Sequence, residues 1–540
     1  MMSNYLKKAL QPKHTPQNQP IPGKPMVANS AGGYSFALDP WKRLTRFLVL
    51  GSESGSYYIS EQKLTVENAD NVLALIAEDG LRVVREIVAI SEGGRAPKND
   101  PAIFVLALVA AKGNTDVRKA AMAALPKICR TGTHLFQFAE FVQAMRGWGR
   151  GLRRGVAGWY QGLEPRSLAY QVVKYRQRDG WTHTDTLRLS HPKPVNETQG
   201  AIYKWITKRE EATWALGDSV PEDNAQAFIW AFEQAQKATD VKTILQLIEA
   251  YDLPREALPT QFLSEAAVWE ALLVKMPLTA MIRNLGVMGK IGLLKELSAA
   301  EQTVVDRLGD ATLLRKARVH PIAVLSALRV YQMGHGIRGD GKWTPTARVI
   351  DALDDAFYKA FQNVVPANKR MMLALDVSGS MAGGQVAGVP GLTPRDGSTA
   401  MALVTAKTEP HYTITSFQDK MVPLNISARM RLDDAIKVTS GLTFGATDCA
   451  QPMLYALDNK LSVDTFVVYT DSETWFGKIH PVQALQKYRD KTGIPAQLIV
   501  VGMVSNKFTI ADPNDAGMLD VSGFDSATPQ VLSDFARGEI

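Results

Sequence analysis

The sequence of 540 residues predicts an α + α/β protein, in which a solenoid of helical repeats is followed by a domain with a mostly parallel sheet. Two observations support this prediction. From residue 41 to about residue 365, apolar residues recur at helical spacing, in segments separated by Gly, Pro, Asn or Asp. After Pro366 the pattern changes to short apolar runs that alternate with helical segments. With 46% hydrophobic residues, a chain of this length can bury more than one core.

The first part is expected to consist of paired helices. Its apolar segments include VENADNVLALIAEDG, LRVVREIVAISEGG, PAIFVLALVAAKGN and TDVRKAAMAALPKIC. The connections between such segments are short and polar, which makes neighbouring helices antiparallel. Stacking of these pairs predicts an α-solenoid of HEAT or armadillo type. No fixed repeat period is visible, so an irregular helix bundle is the alternative.

The chain is predicted to have three parts. Residues 1–33 form a flexible arm because residues 11–33 are rich in Pro, Gln, Asn and Gly; residues 34–365 form the helical domain, and residues 366–540 the α/β domain. No segment has the apolar length of a signal peptide or membrane span. Only Cys129 and Cys449 are present, so no disulfide framework or zinc site is expected. We expect a cytoplasmic protein without a membrane partner.

In the α/β domain, strands and helices are expected to alternate, which predicts a Rossmann-like sheet covered on both faces. The predicted strands are residues 371–375, 412–417, 465–469 and 497–501. The predicted helices are residues 398–407, 432–439, 450–458 and 481–489.

The segment MMLALDVSGSM predicts a cation site at the end of the first of these strands. Asp376, Ser378 and Ser380 follow the apolar run at alternate positions, and they offer one carboxylate and two hydroxyls to a hard divalent cation. Thr447 lies in a turn before an apolar helix, and Asp471 follows the strand at 465–469. Ligands of open α/β sheets gather outside the carboxyl ends of the strands. The five side chains are therefore expected to meet in one crevice.

The five positions match the metal-ion-dependent adhesion site of von Willebrand factor A domains, which residues 366–540 resemble. The resemblance implies a bound ion with an open coordination position that a partner's acidic group completes. Such a domain recognises a partner rather than catalysing a reaction. We expect one divalent cation here, with Mg²⁺ as the expected ion. A helix-capping turn rich in Ser and Asp, without a metal, is the alternative.

Positive charge is concentrated in the helical part. Residues 141–210 contain 13 Lys and Arg against 5 Asp and Glu, a balance of +8, and the whole chain carries +7. Pro165 and Gly180 bracket a predicted helix on which Lys174 and Arg178 share one face. Two cations four residues apart repel each other, so a bound polyanion is a reasonable explanation for the pair. Candidate RNA-binding residues in this window are Arg150, Arg153, Lys174, Arg176, Arg178 and His191.

Four strings make the chain resemble the Ro autoantigen family of TROVE-domain proteins: GWGRGLRRGVAGWY, KYRQRDGWTHTDTLRLSHPKP, GHGIRGDGKW and GATDCAQPM. The resemblance implies a ring of HEAT-type repeats that is closed by the A domain. It also implies that small non-coding Y RNAs bind the basic outer surface, and that the 3′ ends of misfolded or decaying RNAs enter a central hole. For the Y RNA surface, it implies Lys174, Arg178 and His191, and extends to Arg150 and Arg153.

The expected function is that of a non-catalytic RNA-binding protein in RNA quality control or processing. An exoribonuclease or another protein is the expected partner of the A domain. The alternative is a protein-interaction scaffold, in which the repeats bind proteins and the adhesion site captures an acidic side chain. A metal-dependent nuclease or phosphatase is a third hypothesis. It is disfavoured because no general base accompanies the predicted cation site and the sequence contains no catalytic motif.

Overall fold

A computed structural model describes residues 14–52, 55, 57–337, 341–361, 364–386, 389, 391–443 and 445–540. Residues 338–340, within the string GHGIRGDGKW, lie outside this range. The chain divides into two compact units. The sheet unit contains the residues up to Asn68 together with Phe361–Ile540, and the helical unit is Ala69–Ala360. Residues 14–68, which the sequence analysis assigned to the arm and the helical domain, therefore lie in the sheet unit.

The described part of the chain contains no helix that is both long enough and apolar enough to cross a membrane.

The N-terminal segment has fixed partners within the sheet unit. It contains β1 (Met26–Ala28), β2 (Tyr34–Ala37) and α1 (Pro40–Leu50), and β2 pairs with both β1 and β10 (Phe508–Thr509). The fully buried Gln17 donates from Nε2 to Asp448 Oδ1 at 2.6 Å and to the Ile479 carbonyl at 2.7 Å. A flexible arm was expected over residues 1–33, but residues 14–33 differ from that expectation because their polar groups are paired with distant residues.

The helical unit confirms the predicted run of helices. Helix α2 (Glu61–Glu92) begins in the sheet unit and is interrupted at Asp79, whose φ of −149° and ψ of 79° are not helical. Helix α3 (Asp100–Lys112) packs against both α4 (Thr115–Ile128) and α5 (Gly132–Met145), as expected for stacked helix pairs. The next helices are α6 (Arg150–Gln161), α7 (Pro165–Lys174), α8 (His183–Ser190), α9 (Glu197–Thr207), α10 (Thr213–Leu216), α11 (Asn224–Lys237) and α12 (Val241–Tyr251). The last are α13 (Ala266–Lys275), α14 (Leu278–Lys290), α15 (Ala299–Gly309), α16 (Ala311–Lys316), α17 (Pro321–Met333) and α18 (Ala347–Lys359).

The sheet unit contains the predicted sheet, with the strand order β11-β9-β8-β5-β6-β7. The four predicted strands are confirmed as β5 (Met371–Asp376), β6 (Tyr412–Phe417), β8 (Thr465–Thr470) and β9 (Gln497–Gly502), which are mutually parallel where they pair. The four predicted helices are α19 (Pro394–Thr408), α20 (Leu432–Ser440), α21 (Gln451–Asp458) and α22 (Pro481–Thr492). Three further elements were not predicted: β7 (Met421–Pro423), β11 (Met518–Ser522) and α23 (Thr528–Arg537).

His183 makes the stability of the helical unit dependent on pH. It is buried beside Phe136, its Nδ1 lies 2.7 Å from the hydroxyl of Tyr160, and burial lowers its pKa to about 4. The unfolded chain, with an ordinary histidine pKa of about 6.5, binds more protons than the folded chain between these values. The contribution of His183 is therefore complete above pH ~6.5 and is lost as the pH falls towards ~4.

We expect the free energy of unfolding to fall by about 2 kcal/mol between pH ~7 and ~5 because of His183. The measurement is urea denaturation followed by circular dichroism at both pH values. His183→Gln should remove this part of the pH dependence, whereas His335→Gln, at an exposed histidine of the same unit, should retain it. An unchanged pH dependence in His183→Gln would contradict the assignment.

Candidate metal centre and nucleic-acid interface

Two of the predicted cation ligands come from the ends of adjacent strands. Asp376 is the last residue of β5 and is fully buried, and Asp471 directly follows β8. These strands are parallel, with Leu375 opposite Tyr469, so their carboxyl ends lie at the same edge of the sheet. The hydroxyl of Thr470 donates to Asp376 Oδ2 at 2.6 Å and joins the two strand ends directly.

The serine hydroxyls lie in a loop that is fixed from two sides. Ser378 and Ser380 are buried, and their Oγ atoms are 3.1 Å apart. The N–H of Ser378 donates to Asp376 Oδ1 at 3.0 Å. From α19, the buried guanidinium of Arg395 donates to the carbonyls of Val377 and Ser378. The loop is therefore held through its backbone N–H and carbonyl groups, and the two serine hydroxyls contact each other within it.

Thr447 is attached to the loop that carries Asp471. Thr447 is buried, and its carbonyl accepts the N–H groups of Trp475 and Phe476 at 3.2 and 3.1 Å. The structure thus brings the strand ends with Asp376 and Asp471 together and ties the Thr447 loop to the second of them.

The donor set fits a hard divalent cation. Burial raises the pKa of Asp376 to about 7, and the negative charge of Asp471 adds to this shift. Burial also raises the pKa of Asp471. Within the described ranges no three His, Cys, Asp or Glu side chains cluster as metal ligands, so the predicted site depends on its hydroxyls as well as its carboxylates. A bound cation would offset the repulsion between the two buried carboxylates, and Mg²⁺ prefers such oxygen donors.

Arg150 lies in a strongly basic cavity of the helical unit. Arg150 and Arg153 are exposed on the first turns of α6. Arg150, but not Arg153, lines a cavity of about 630 Å³. Among the described residues, five cations and no carboxylate line it: Arg118, Lys119, Arg146, Arg150 and Arg154. We call this surface the five-cation cavity.

The predicted helix that would place Lys174 and Arg178 on one face is wrong. Helix α7 ends at Lys174, and the chain continues as β3 (Gln177–Arg178) and β4 (Trp181–Thr182), an antiparallel hairpin. The two residues of its turn have positive φ, 51° for Asp179 and 80° for Gly180. Asp-Gly is the favoured sequence for a two-residue hairpin turn of this kind. That turn chemistry ended the helix earlier than the apolar pattern suggested.

The remaining RNA candidates do not line a common cavity among the three described. The Nζ of Lys174 donates to the Tyr170 hydroxyl at 2.9 Å and lines a second cavity of about 330 Å³. Arg178 is exposed and lines a third cavity, of about 780 Å³. Arg176 is exposed 5.4 Å from the Phe232 ring. His191 is exposed at the end of α8 with a φ of 49°, and like Arg176 it lines none of these three cavities.

Comparisons with known proteins agree with this architecture. The TROVE domain model matches residues 27–253 and 253–330, and the Ro60 vWA domain model matches residues 370–536. A Deinococcus radiodurans protein named RNA-binding protein RO60 is 44% identical over 544 residues, with 100% of both chains covered. The chain belongs to the Ro family. A Caenorhabditis elegans protein of the same name is 35% identical, with 95% of this chain and 90% of that protein covered.

A solved structure supports the fold of this Ro-family chain. The crystal structure of the Deinococcus radiodurans Ro (RSR) protein matches it with a TM-score of 0.70 at 45% identity. The match covers 93% of this chain and 100% of that one. The predicted resemblance to the Ro family and the predicted fold class, helical repeats before an A domain, are therefore confirmed.

Two residues beside the predicted cation site were not identified from the sequence. Glu473 is fully buried, and burial together with the charge of Asp471 raises its pKa to about 8. The sequence does contain a signal for Glu473, because this residue lies two positions after Asp471 and just beyond the end of a predicted strand. Burial raises the pKa of Tyr58 to about 12, with contributions from Asp471 and Glu473, so its hydroxyl lies in the same electrostatic environment. Nothing in the local sequence connects Tyr58 with this site.

Proposed function

We propose that this protein is a non-catalytic, cytoplasmic RNA-binding protein that acts in RNA quality control or processing. Its ligands are small non-coding RNAs of the Y class and the 3′ ends of misfolded or decaying RNAs. The observation that carries the proposal is the five-cation cavity, because a concave surface with five cations and no lining carboxylate suits a polyanion. Membership of a family whose curated relatives are named RNA-binding proteins supports the same conclusion.

The five-cation cavity is suited to the phosphate backbone of RNA. No ion pair with a carboxylate is found for Arg146, Arg150 or Arg154 within the described part of the chain, so their charges are available to phosphates. Helix α6 begins at Arg150 after Gly149, which provides no capping side chain, and its positive dipole end adds to the attraction. A Cβ added at Gly151 would have no other atom within 4 Å. The space beside the first turn of α6 is therefore open to the sugar-phosphate backbone of an RNA strand.

A variant with Arg146→Ala, Arg150→Ala and Arg154→Ala should bind structured RNA about 100-fold more weakly at moderate salt. Each arginine that contacts a phosphate contributes about 0.9 to the slope of log K against log salt, so the slope should fall by up to about 3. The measurement is fluorescence anisotropy with a labelled RNA hairpin at several salt concentrations.

The control for this experiment is a second variant with the same loss of charge. Arg429→Ala, Lys460→Ala and Lys491→Ala remove three exposed cations of the sheet unit, and this variant should retain the affinity and the salt slope. Equal losses in both triple variants would mean that only net charge matters. That result would contradict the assignment to the five-cation cavity.

We also propose that the sheet unit holds one divalent cation, Mg²⁺, through Asp376, Ser378, Ser380, Thr447 and Asp471, and that a protein binds there. An exoribonuclease is one candidate partner. Trp475 and Phe476 favour a protein as the binding partner. They follow the loop that carries Asp471, and 38% and 51% of their surfaces are exposed. Exposed aromatic side chains next to a polar site are typical of protein interfaces.

This aromatic pair also supports the second candidate function, a scaffold that binds only proteins. The ultraviolet absorbance of the protein after purification at low salt separates the two. A spectrum of free protein, without a nucleic-acid contribution, would favour the scaffold.

A further inference from the structure

The helical unit contains a pocket of about 330 Å³ that is separate from the five-cation cavity. Side chains from α7, α12, α13 and α14 and from the segment after α12 line it. Leu253, Leu272 and Met276 provide buried apolar walls. The volume lies at the lower end of the range for sites that enclose a small organic group.

Two arginines give this pocket directional polar groups. The guanidinium carbon of Arg166 lies 3.8 Å from the centre of the Phe228 ring, and its NH2 group donates to the Tyr251 carbonyl at 3.1 Å. Arg166 thus presents a fixed, planar cation to the pocket. Arg255 donates from NH1 to Asn284 Oδ1 at 3.0 Å, whereas its buried Nε has no acceptor among the described residues. Arg255 and Asn284 both line the pocket, so their guanidinium and amide groups provide donors and an acceptor at its wall.

The charges of this pocket nearly cancel, which separates it from the five-cation cavity. Four cations and three carboxylates line it: Arg166, Lys174, Arg255 and Lys275 with Glu249, Asp252 and Glu256. A phosphate group would meet the carboxylates as well as the cations, so the pocket is poorly suited to an anion. An uncharged planar group with both donors and acceptors along its edge fits apolar walls, a stacking guanidinium and mixed polar groups. Nucleobases have these properties.

We propose that this pocket binds one unpaired nucleobase of the RNA. The base would stack on Arg166, and its polar edge would meet Arg255 and Asn284. This inference rests on the proposed function. The five-cation cavity binds the RNA backbone, whereas the pocket recognises one base.

The test compares two RNA duplexes that differ only by one unpaired adenosine. By fluorescence anisotropy at one salt concentration, the wild-type protein should bind the bulged duplex about tenfold more tightly than the paired one. With 2-aminopurine at the unpaired position, binding should change the fluorescence of that base. Ala271→Phe fills the pocket from its lining and should abolish the preference while the affinity for the paired duplex stays within about twofold.

Two further variants keep the test decisive if Ala271→Phe folds poorly. Arg166→Lys retains the charge but removes the planar stacking surface, so it should reduce the preference without changing the salt slope. Ala299→Phe, at an exposed position that does not line the pocket, should leave the preference intact. Equal binding of both duplexes by the wild type, or a preference that survives both pocket variants, overturns the pocket assignment alone. Failure to bind either duplex overturns the proposed function.

Discussion

Replacing Arg46 with Ala is expected to destabilise the sheet unit by about 3–5 kcal/mol, the usual cost of removing one partner of a buried ion pair. Arg46 lies on α1, and its NH2 group donates to Asp520 Oδ1 at 2.8 Å and Oδ2 at 2.6 Å. The NH1 group donates to Asn506 Oδ1 at 3.1 Å and to the Phe508 carbonyl at 3.0 Å. The side chains of Arg46 and Asp520 are only 1% and 4% exposed.

The large expected effect follows from what the substitution leaves behind. Without Arg46, the carboxylate of Asp520 on β11 is buried without its cation, and the site has little access to water. The neighbouring backbone has also adapted to the guanidinium, because a Cβ at Gly502 of β9 would lie 2.3 Å from it. Loss of the side chain therefore opens a cavity next to an unpaired charge.

Urea denaturation of the full chain measures this effect, with a probe in the sheet unit such as near-ultraviolet circular dichroism. Lys437→Ala is the control, since Lys437 pairs with an aspartate, Asp434, at 3.2 Å and both side chains are exposed, by 73% and 52%. Its loss should cost less than about 1 kcal/mol. Similar losses for Arg46→Ala and Lys437→Ala would show that burial does not determine the contribution of these pairs.

Local periodicity was sufficient to predict four of the six strands of the main sheet. The run Tyr412–Phe417 was predicted with its observed bounds, because a fully apolar or β-branched run between turn residues has few other structures available. By contrast, β3 falls inside the helix predicted between Pro165 and Gly180, because the apolar stripe continues up to the Asp-Gly turn. Here a two-residue turn competed with helix continuation and was favoured.

Long-range pairing could not be predicted in the same way. Gln17 and Arg46 contact residues more than 400 positions away, and no periodicity connects polar residues across such a separation. For the candidate site, the rule that ligands gather at strand ends was enough to bring Asp376 and Asp471 together. The five-cation cavity could be predicted only in part from the basic residues at 141–210. Two of its cations, Arg118 and Lys119, come from α4, which lies outside that range.

The second large effect is expected at the cation site, where Asp471→Asn should change stability in opposite directions with and without Mg²⁺. Asp376 and Asp471 are buried together, and the charge of Asp471 contributes to the raised pKa of Asp376. Without a divalent cation, the substitution removes one of two repelling carboxylates and should leave the protein at least as stable as the wild type. The asparagine side chain can still accept the N–H bond from Glu473, which is 3.0 Å long in the wild type.

With Mg²⁺ in excess, the order of stability should reverse. A cation that binds only the folded wild type stabilises it by about 2.7 kcal/mol at 100 times its dissociation constant. Asp471→Asn lacks one of the two carboxylates and should gain much less. Thermal unfolding with EDTA and with Mg²⁺ measures both states, and isothermal titration calorimetry measures cation binding directly.

The control must be a buried carboxylate that is not a predicted ligand. Glu409 is 3% exposed and accepts the N–H groups of Ala367 and Asn368 at 2.8 and 3.0 Å. Glu409→Gln should therefore lower stability by the same amount in EDTA and in Mg²⁺. If Mg²⁺ stabilises Asp471→Asn as much as the wild type, the cation binds elsewhere. Asp376 and Asp471 would then be a buried pair that shares a proton, which agrees with the raised pKa of Asp376 but not with an adhesion site.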